Sequence, residues 1–210
     1  MEEITLQEIY ELALDYCNGT NNCEQDLGVA AFYFFIAADG GHEQAKEKFK
    51  SVKEYIDLDS VQNQENLGLF YMGIGDNIEK SIYWFEKAAA QGHAYSMYML
   101  GEIYSWTDQE KGMEYYHKAY ELGSPDAAYI IGSAYEKGNG VEVDYAKAIQ
   151  YYNFAVDGGY PPAMMDLASM YEEGRGVEVD VERAAALRQM ADFAAADIEI
   201  SEDGIHISTY

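Results

Sequence analysis

The chain has 210 residues, of which 38 are acidic and 13 basic, for a formal net charge of −25 at pH 7. That length allows one ordinary domain or a modest repeat array, and the 49 % apolar residues suffice for a continuous core. So strong a negative balance argues against binding nucleic acid through its phosphates, which takes a basic surface, and against docking on an anionic membrane; it suits solubility and, more sharply, a basic protein partner.

The chain opens on "MEEITLQEIYELALDY". It has no positive n-region and no apolar h-region leading to a small-residue cleavage site, so it does not read as a signal peptide. No run of 18 apolar residues follows anywhere, so no membrane span is expected. The expected location is the cytoplasm, where Cys17 and Cys23 are reduced thiols. Their C-x5-C spacing does not supply a zinc ligand set.

Helical patterning then recurs along the chain. Leu12-Ala13 and Tyr16 lead to Asp26, Ala30, Tyr33-Phe34, Ala37-Ala38 and Gly41. Residues 46–66 stand outside this pattern; Phe49, Val52, Tyr55 and Ile56 have helical spacing, which predicts an additional helix and then a short polar connector. The pattern resumes with Leu67-Gly68, Tyr71, Lys80, Trp84-Phe85, Ala88-Ala89 and Gly92. It returns as Leu100-Gly101, Tyr104, Asp108, Lys111, Tyr115-Tyr116, Ala119 and Gly123.

The fourth copy is the sharpest. "YEKGNGVEVDYAKAIQYYNFAVDGG" holds two glycines in a loop ahead of a helix. Such a loop could cradle a phosphate, but it lacks the Lys-Ser/Thr pair of a Walker motif. It also recurs 36 residues on: Tyr135, Gly138, Gly140, Val141, Asp144 and Ala148 become Tyr171, Gly174, Gly176, Val177, Asp180 and Ala184. A catalytic loop has no reason to repeat with its flanks, and a structural unit does. Gly138 and Gly140 are therefore turn residues with positive φ.

Each unit predicts two helices. In the first, Ala127, Ile131, Gly132 and Tyr135 share one face, with Gly132 allowing close approach of the next helix. The second starts at an N-cap such as Asp144 or Asp180. Lys147 and Arg183 stand three residues on and can pair with these caps. Gly92, Gly123 and Gly159 close the second helices in left-handed caps.

The tail, "DIEISEDGIHISTY", alternates isoleucines with polar residues around Asp203-Gly204, which predicts a hairpin. It is expected to dock on the last helix or to add to a partner's sheet edge.

The pattern A-x3-L-G-x2-Y-x2-G-x-G-V-x2-D-x2-K-A-x2-W/Y-Y/F-x2-A-A-x2-G, closest in residues 127–159, resembles Sel1-like repeats, relatives of the tetratricopeptide repeats. Residues 163–191 depart from it: Leu187-Arg188 replaces the aromatic pair and Asp192 the second alanine, as suits a terminal unit that meets water. The resemblance implies an all-α fold, a right-handed α-α superhelix or solenoid of about five helix pairs. One domain is expected over 1–196, with a separate tail over 197–210.

If the units stack as in those relatives, the first helices line a concave face. Its expected partner-binding residues are Tyr95, Tyr98, Glu102, Trp106, Asp126, Tyr129, Glu136, Met165, Glu172 and Glu173; the same face also offers Tyr10 and Leu14 in the first unit, Glu65, Leu69 and Met72 in the second, and Ser133 and Ser169 in the fourth and fifth. The set is aromatic and acidic and contains no lysine or arginine. Aromatic anchors supply binding energy, and carboxylates steer a basic partner. Tyrosines that pack between units are the alternative use of the same residues.

Catalytic patterns are weak. His42 and His93 follow Gly41 and Gly92 in matching places, which points to helix starts. No Ser-His-Asp, H-E-x-x-H or H-x-H arrangement appears. The resemblance implies a non-enzymatic scaffold or adaptor for a protein partner, with no cofactor or metal. An immunity-type inhibitor of a basic toxin or effector, a DNA mimic, and a hydrolase of the cysteine-rich Sel1-like type are the other classes. The last type has regular cysteine pairs, which this chain lacks.

Overall fold

The computed structural model describes residues 4–73, 77–194, 197–201 and 204–208. Eleven α-helices occupy most of the described residues. They are α1 (Leu6–Asn18), α2 (Leu27–Asp39), α3 (Glu43–Val52), α4 (Val61–Gly73), α5 (Ile78–Ala90), α6 (Ala94–Ser105), α7 (Gln109–Glu121), α8 (Pro125–Lys137), α9 (Tyr145–Asp157), α10 (Pro161–Glu173) and α11 (Val181–Ala194). Strands β1 (Asp197–Ser201) and β2 (Gly204–Ser208) follow. The chain forms two compact units, 1–88 and 89–210.

In the first unit, α1 packs against α2, and α2 against α3. The core is built from Ile9, Ala13, Phe34, Ala37, Leu67 and Tyr71. In the second unit, α6 packs on α7, α8 on α9 and α10 on α11, while α7–α8 and α9–α10 join consecutive pairs. Its core gathers the small and aromatic residues that recur in the sequence: Tyr116, Ala119, Ala127, Ile131, Ala148, Tyr152, Ala155, Leu167 and Ala184.

The glycine of each Leu-Gly pair has one cause. A Cβ on Gly132 would stand 2.8 Å from Cδ1 of Tyr152, and one on Gly101 would stand 2.6 Å from Cδ1 of Tyr116. The second-helix ring therefore packs directly against bare first-helix backbone. Full burial of such a ring contributes about 1.5–3 kcal/mol, and any side chain on the glycine would force it away.

The caps follow the same repetition. The Asp108, Asp144 and Asp180 side chains accept from the amides of Lys111, Lys147 and Arg183 at 3.1, 3.0 and 2.8 Å. Gly138, Gly140, Gly174 and Gly176 have φ between +69° and +74°, so the two-glycine loop is a turn, as its recurrence indicates. His42 and His93 are the N-caps of α3 and α6.

The extra segment is shorter than the expected 46–66. Its helix is α3, but α4 already starts at Val61. Residues 61–66 thus belong to the next pair, and Gln64 is buried there, its Nε2 donating to the Leu58 carbonyl at 3.0 Å. Because Gln64 is polar, its burial was not legible from hydrophobic periodicity. Tyr55 lies in a 3-10 turn and is exposed rather than on the packed face of α3.

β1 and β2 pair antiparallel, with Ile198 opposite Ile207 and Ile200 opposite Ile205. Of the expected turn, Asp203 lies outside the described residues, as do the side chains on which docking of the hairpin would rest.

Candidate partner-binding face

The first helices of the second unit place the expected residues by helical period. Tyr95, Tyr98 and Glu102 fall on one face of α6, and Asp126 and Tyr129 on one face of α8. The rings of Tyr95 and Tyr98 are 6.0 Å apart, and those of Tyr98 and Tyr116 are 5.9 Å apart. The Tyr116 hydroxyl donates to Oε1 of Glu102 at 2.5 Å.

On α8, the Tyr129 ring lies 5.8 Å from Tyr152 and 5.2 Å from Tyr160, and its hydroxyl donates to Oδ2 of Asp166 at 3.1 Å. Tyr98, Glu102, Asp126, Tyr129, Tyr160 and Asp166 are all half-buried.

The electrostatics tie these groups together. Burial pushes the Tyr98 hydroxyl well above its ordinary range, and the charge of Glu102, then Tyr160, Asp126 and Tyr95, adds to the push. Tyr160 is also raised by burial, then by Asp126 and Glu102. Glu102 and Asp126, from successive repeats, thus bear on the same two hydroxyls. Tyr129 is pushed up to about 12 by burial, then by Asp166, Tyr160 and Glu136.

Other expected residues stand elsewhere. Trp106, at the end of α6, is 89 % exposed, and Met165 on α10 is exposed. Glu172 and Glu173 diverge: Glu172 takes a bidentate grip from Arg188 at 3.0 and 2.7 Å, and Glu173 lies 2.9 Å from Nε of Arg175. Tyr10 is buried and stacked on His42 at 4.4 Å.

Glu136 departs from the expectation of an open groove residue. It is only 8 % exposed, accepts the Tyr152 hydroxyl at 2.5 Å, and is paired with Arg175 from the next unit. Its carboxylate faces the core side of α8 because a buried tyrosine hydroxyl needs an acceptor there.

Tyr160 and Asp166 were not among the expected residues. Asp166 left no clear signal: the same place two residues before the small residue is Glu11, Asn66, Met99 and Ile130 in the other repeats, so both polar and apolar residues occur there. Its role comes from the Tyr129 hydroxyl, which donates to it.

A cleft of about 310 Å³ opens beside this face, lined by Glu102, Tyr116, Met113, Ile130, Ser133 and Asn139 among others. The first unit has its own groove of about 530 Å³ between α2 and α4, lined chiefly by Phe32, Tyr33, Asn63, Asn66, Leu69 and Phe70. Among the described residues no group of three or more His, Cys, Asp or Glu side chains could hold a metal ion. Nor is any described helix long and apolar enough to cross a membrane.

Comparison with known proteins agrees with the geometry. The Sel1 repeat family model matches residues 9–42, 64–93, 94–124, 125–160 and 161–191. The fold is similar to that of a Sel1 repeat protein from Oxalobacter formigenes, with TM-score 0.62 and 28 % identity over 89 % of this chain and 72 % of that one. It is also similar to c5321, a protective antigen of uropathogenic Escherichia coli with an SLR fold: TM-score 0.60, 26 % identity, covering 91 % of this chain and 46 % of that one. In sequence, 102 residues are 29 % identical to the ERAD-associated E3 ubiquitin-protein ligase component HRD3B of Arabidopsis thaliana. That match spans 47 % of this chain and only 17 % of the plant protein.

Proposed function

The chain belongs to the Sel1 repeat family, and from that premise we propose that it is a non-enzymatic scaffold that binds a basic protein partner through the tyrosine-rich, acidic face of its second unit. The observation that carries this reading is the pairing of ring surface with unneutralised charge. Glu102, Asp126 and Asp166 come from three successive first helices, and among the described residues no lysine or arginine pairs with any of them. Tyr95, Tyr98, Tyr129 and Tyr160 supply contact area at low entropic cost beside them. Trp106 at the end of α6 and Met165 on α10 are exposed apolar residues on the same helices and add anchors in this reading.

Glu136, Glu172 and Glu173 play a different part in this reading. Each is held by a tyrosine or an arginine of the chain itself, so in this reading they hold the repeats together rather than meet the partner.

The test compares wild type with a Tyr95→Ala/Trp106→Ala/Asp126→Lys variant of the full chain, used as bait in lysate of the source organism at low and high salt. Helicity of the two baits is matched first. The expected result is a basic protein captured by wild type, weakened by salt and lost from the variant. Capture that is the same for both baits would sink the assignment to this face.

A further inference from the structure

Each two-glycine turn covers the first residue of the second helix one repeat back. A Cβ on Gly140 would stand 3.0 Å from Nε2 of Gln109, the first residue of α7, and one on Gly176 would run into Tyr145, the first residue of α9. Val181 opens α11 at the same place, with no further turn over it among the described residues, and is 57 % exposed. From Val181 an i, i+4 row runs the length of α11 through Ala185 and Gln189 to Phe193, and all four are exposed. In α9 the middle of the matching row, Ile149 and Asn153, is half-buried. The last helix thus leaves open a row that is partly covered one repeat earlier, with a large apolar side chain at each end.

We propose that the C-terminal hairpin folds back along α11 and closes this end of the stack. The tether selects it: β1 begins at Asp197 and α11 ends at Ala194, with only residues 195 and 196 between them. The lengths agree, since a five-residue strand extends about 17 Å and the row from Val181 to Phe193 spans about 18 Å. The register agrees as well. Ile198 pairs with Ile207 and Ile200 with Ile205, so the two-residue period puts four isoleucines on one face of the ribbon and the Glu199–His206 pair on the other. A second copy of the chain would instead bring a further net charge of −25 against this end, which repels it. A two-stranded hairpin alone is marginal in water, and the end of a repeat stack needs covering; each supplies what the other lacks. A strand leaving the C-terminal end of α11 and running back along it brings the turn of the ribbon beside Val181.

The test places a nitroxide on Glu182→Cys of the full chain, with Cys17→Ser and Cys23→Ser removing the two free thiols, and reads amide intensities by NMR. The expected broadening is strongest at Ser201 and Gly204, next to the turn, and weaker at Ile198 and Ile207. Hairpin amides are expected to exchange with solvent at least about ten-fold more slowly than in a free peptide of residues 195–210. Phe193→Asp puts a charge into an exposed position of the row and is expected to abolish both effects while helicity stays unchanged.

Broadening no stronger at the turn than at the strand ends, with exchange as fast as in the free peptide, overturns the proposal. Broadening that arises only when nitroxide-bearing chain is mixed with isotope-labelled chain lacking it gives the row to a second copy and equally overturns it. Protection and broadening that both survive Phe193→Asp refute this row as the seat.

Discussion

The Tyr152 hydroxyl donates to the Glu136 carboxylate at 2.5 Å, while its counterpart one repeat earlier, Tyr116, donates to Glu102, which is not the counterpart of Glu136. Glu102 directly follows the Leu-Gly glycine, and Ser105, three residues later, lies beside the same hydroxyl. In the next repeat the order is exchanged: Ser133 directly follows the glycine and Glu136 comes three later. Both positions lie one turn apart on the same helical face, so either can meet the ring above. The fifth repeat keeps Ser169 and Glu172 but replaces the tyrosine by Arg188, which grips Glu172 through two nitrogens. One mechanical link is thus kept with three different sets of side chains.

This link makes a first prediction. Glu136→Ala would leave a fully buried tyrosine hydroxyl without its acceptor and take from the Arg175 guanidinium its buried partner, leaving only Glu173 beside it. The cost is about 3–5 kcal/mol, as for one partner removed from a buried pair. Tyr152→Phe deletes one hydrogen bond to a charged group and leaves Arg175 on Glu136, so its cost is about 1.5–3 kcal/mol. Urea titrations of both variants check the ranking; a smaller loss for Glu136→Ala than for Tyr152→Phe would refute it.

A second prediction concerns the glycine under the ring. Gly132→Ala puts a methyl group 2.8 Å from Tyr152 and is expected to cost about 1–3 kcal/mol through overpacking. Gly73→Ala is the comparison, because a Cβ there meets nothing within 4 Å. That change is expected to be neutral or stabilising by about 0.4–1 kcal/mol, through the unfolded chain. The midpoints of chemical denaturation decide, and an equal effect at the two positions would contradict close packing as the reason for Gly132.

How much of this was legible beforehand follows from what repeats. Gly101, Gly132, the Asp caps and the two-glycine loops recur at fixed places, and recurrence separates a structural turn from a phosphate loop. The exchange of Glu and Ser around Tyr116 and Tyr152 breaks strict periodicity, so the acids read as free groove residues. Arg175 was hidden for a related reason: it occupies the turn place held by Asn139 one repeat earlier, and its partner Glu136 lies in the preceding unit. The tyrosine face was readable as a face; what each carboxylate does on it depended on which rings carry a hydroxyl toward it.

Alkaline stability gives a third prediction. In the fold, burial and nearby carboxylates raise the hydroxyls of Tyr116, Tyr129 and Tyr152, with Tyr129 at about 12; in the unfolded chain they ionise near the ordinary value of about 10. The unfolded state therefore binds fewer protons above that pH, and stability falls as pH rises. Their contribution is complete below about pH 10 and begins to fall there for all three; for Tyr129 the loss is over by about 12, and for Tyr116 and Tyr152 it continues to higher pH. Tyrosinate absorbance should show Tyr129 ionising late, and Tyr129→Phe should remove that late step. A Tyr129 that ionised with the exposed tyrosines would contradict its burial against Asp166.

The fourth prediction starts from the cation near the head of each later second helix. Lys80, Lys111, Lys147 and Arg183 lie over the rings of Tyr71, Tyr104, Tyr135 and Tyr171 at 5.1, 3.7, 4.8 and 4.7 Å. Lys147 also stays 3.7 Å from Asp144, but the ring contact recurs in four repeats and explains why a cation recurs there. Because these cations are partly in water, each ring contact is expected to contribute about 0.5–1 kcal/mol. A double-mutant cycle of Lys147→Gln with Tyr135→Leu isolates the term, with coupling of about that size and little change when Asp144 is replaced by Asn in the background. Combining Lys111→Gln with Lys147→Gln should give losses that add, since the two sites share no partner. Coupling that vanished with Asp144→Asn would transfer the stabilisation from the ring to the helix cap.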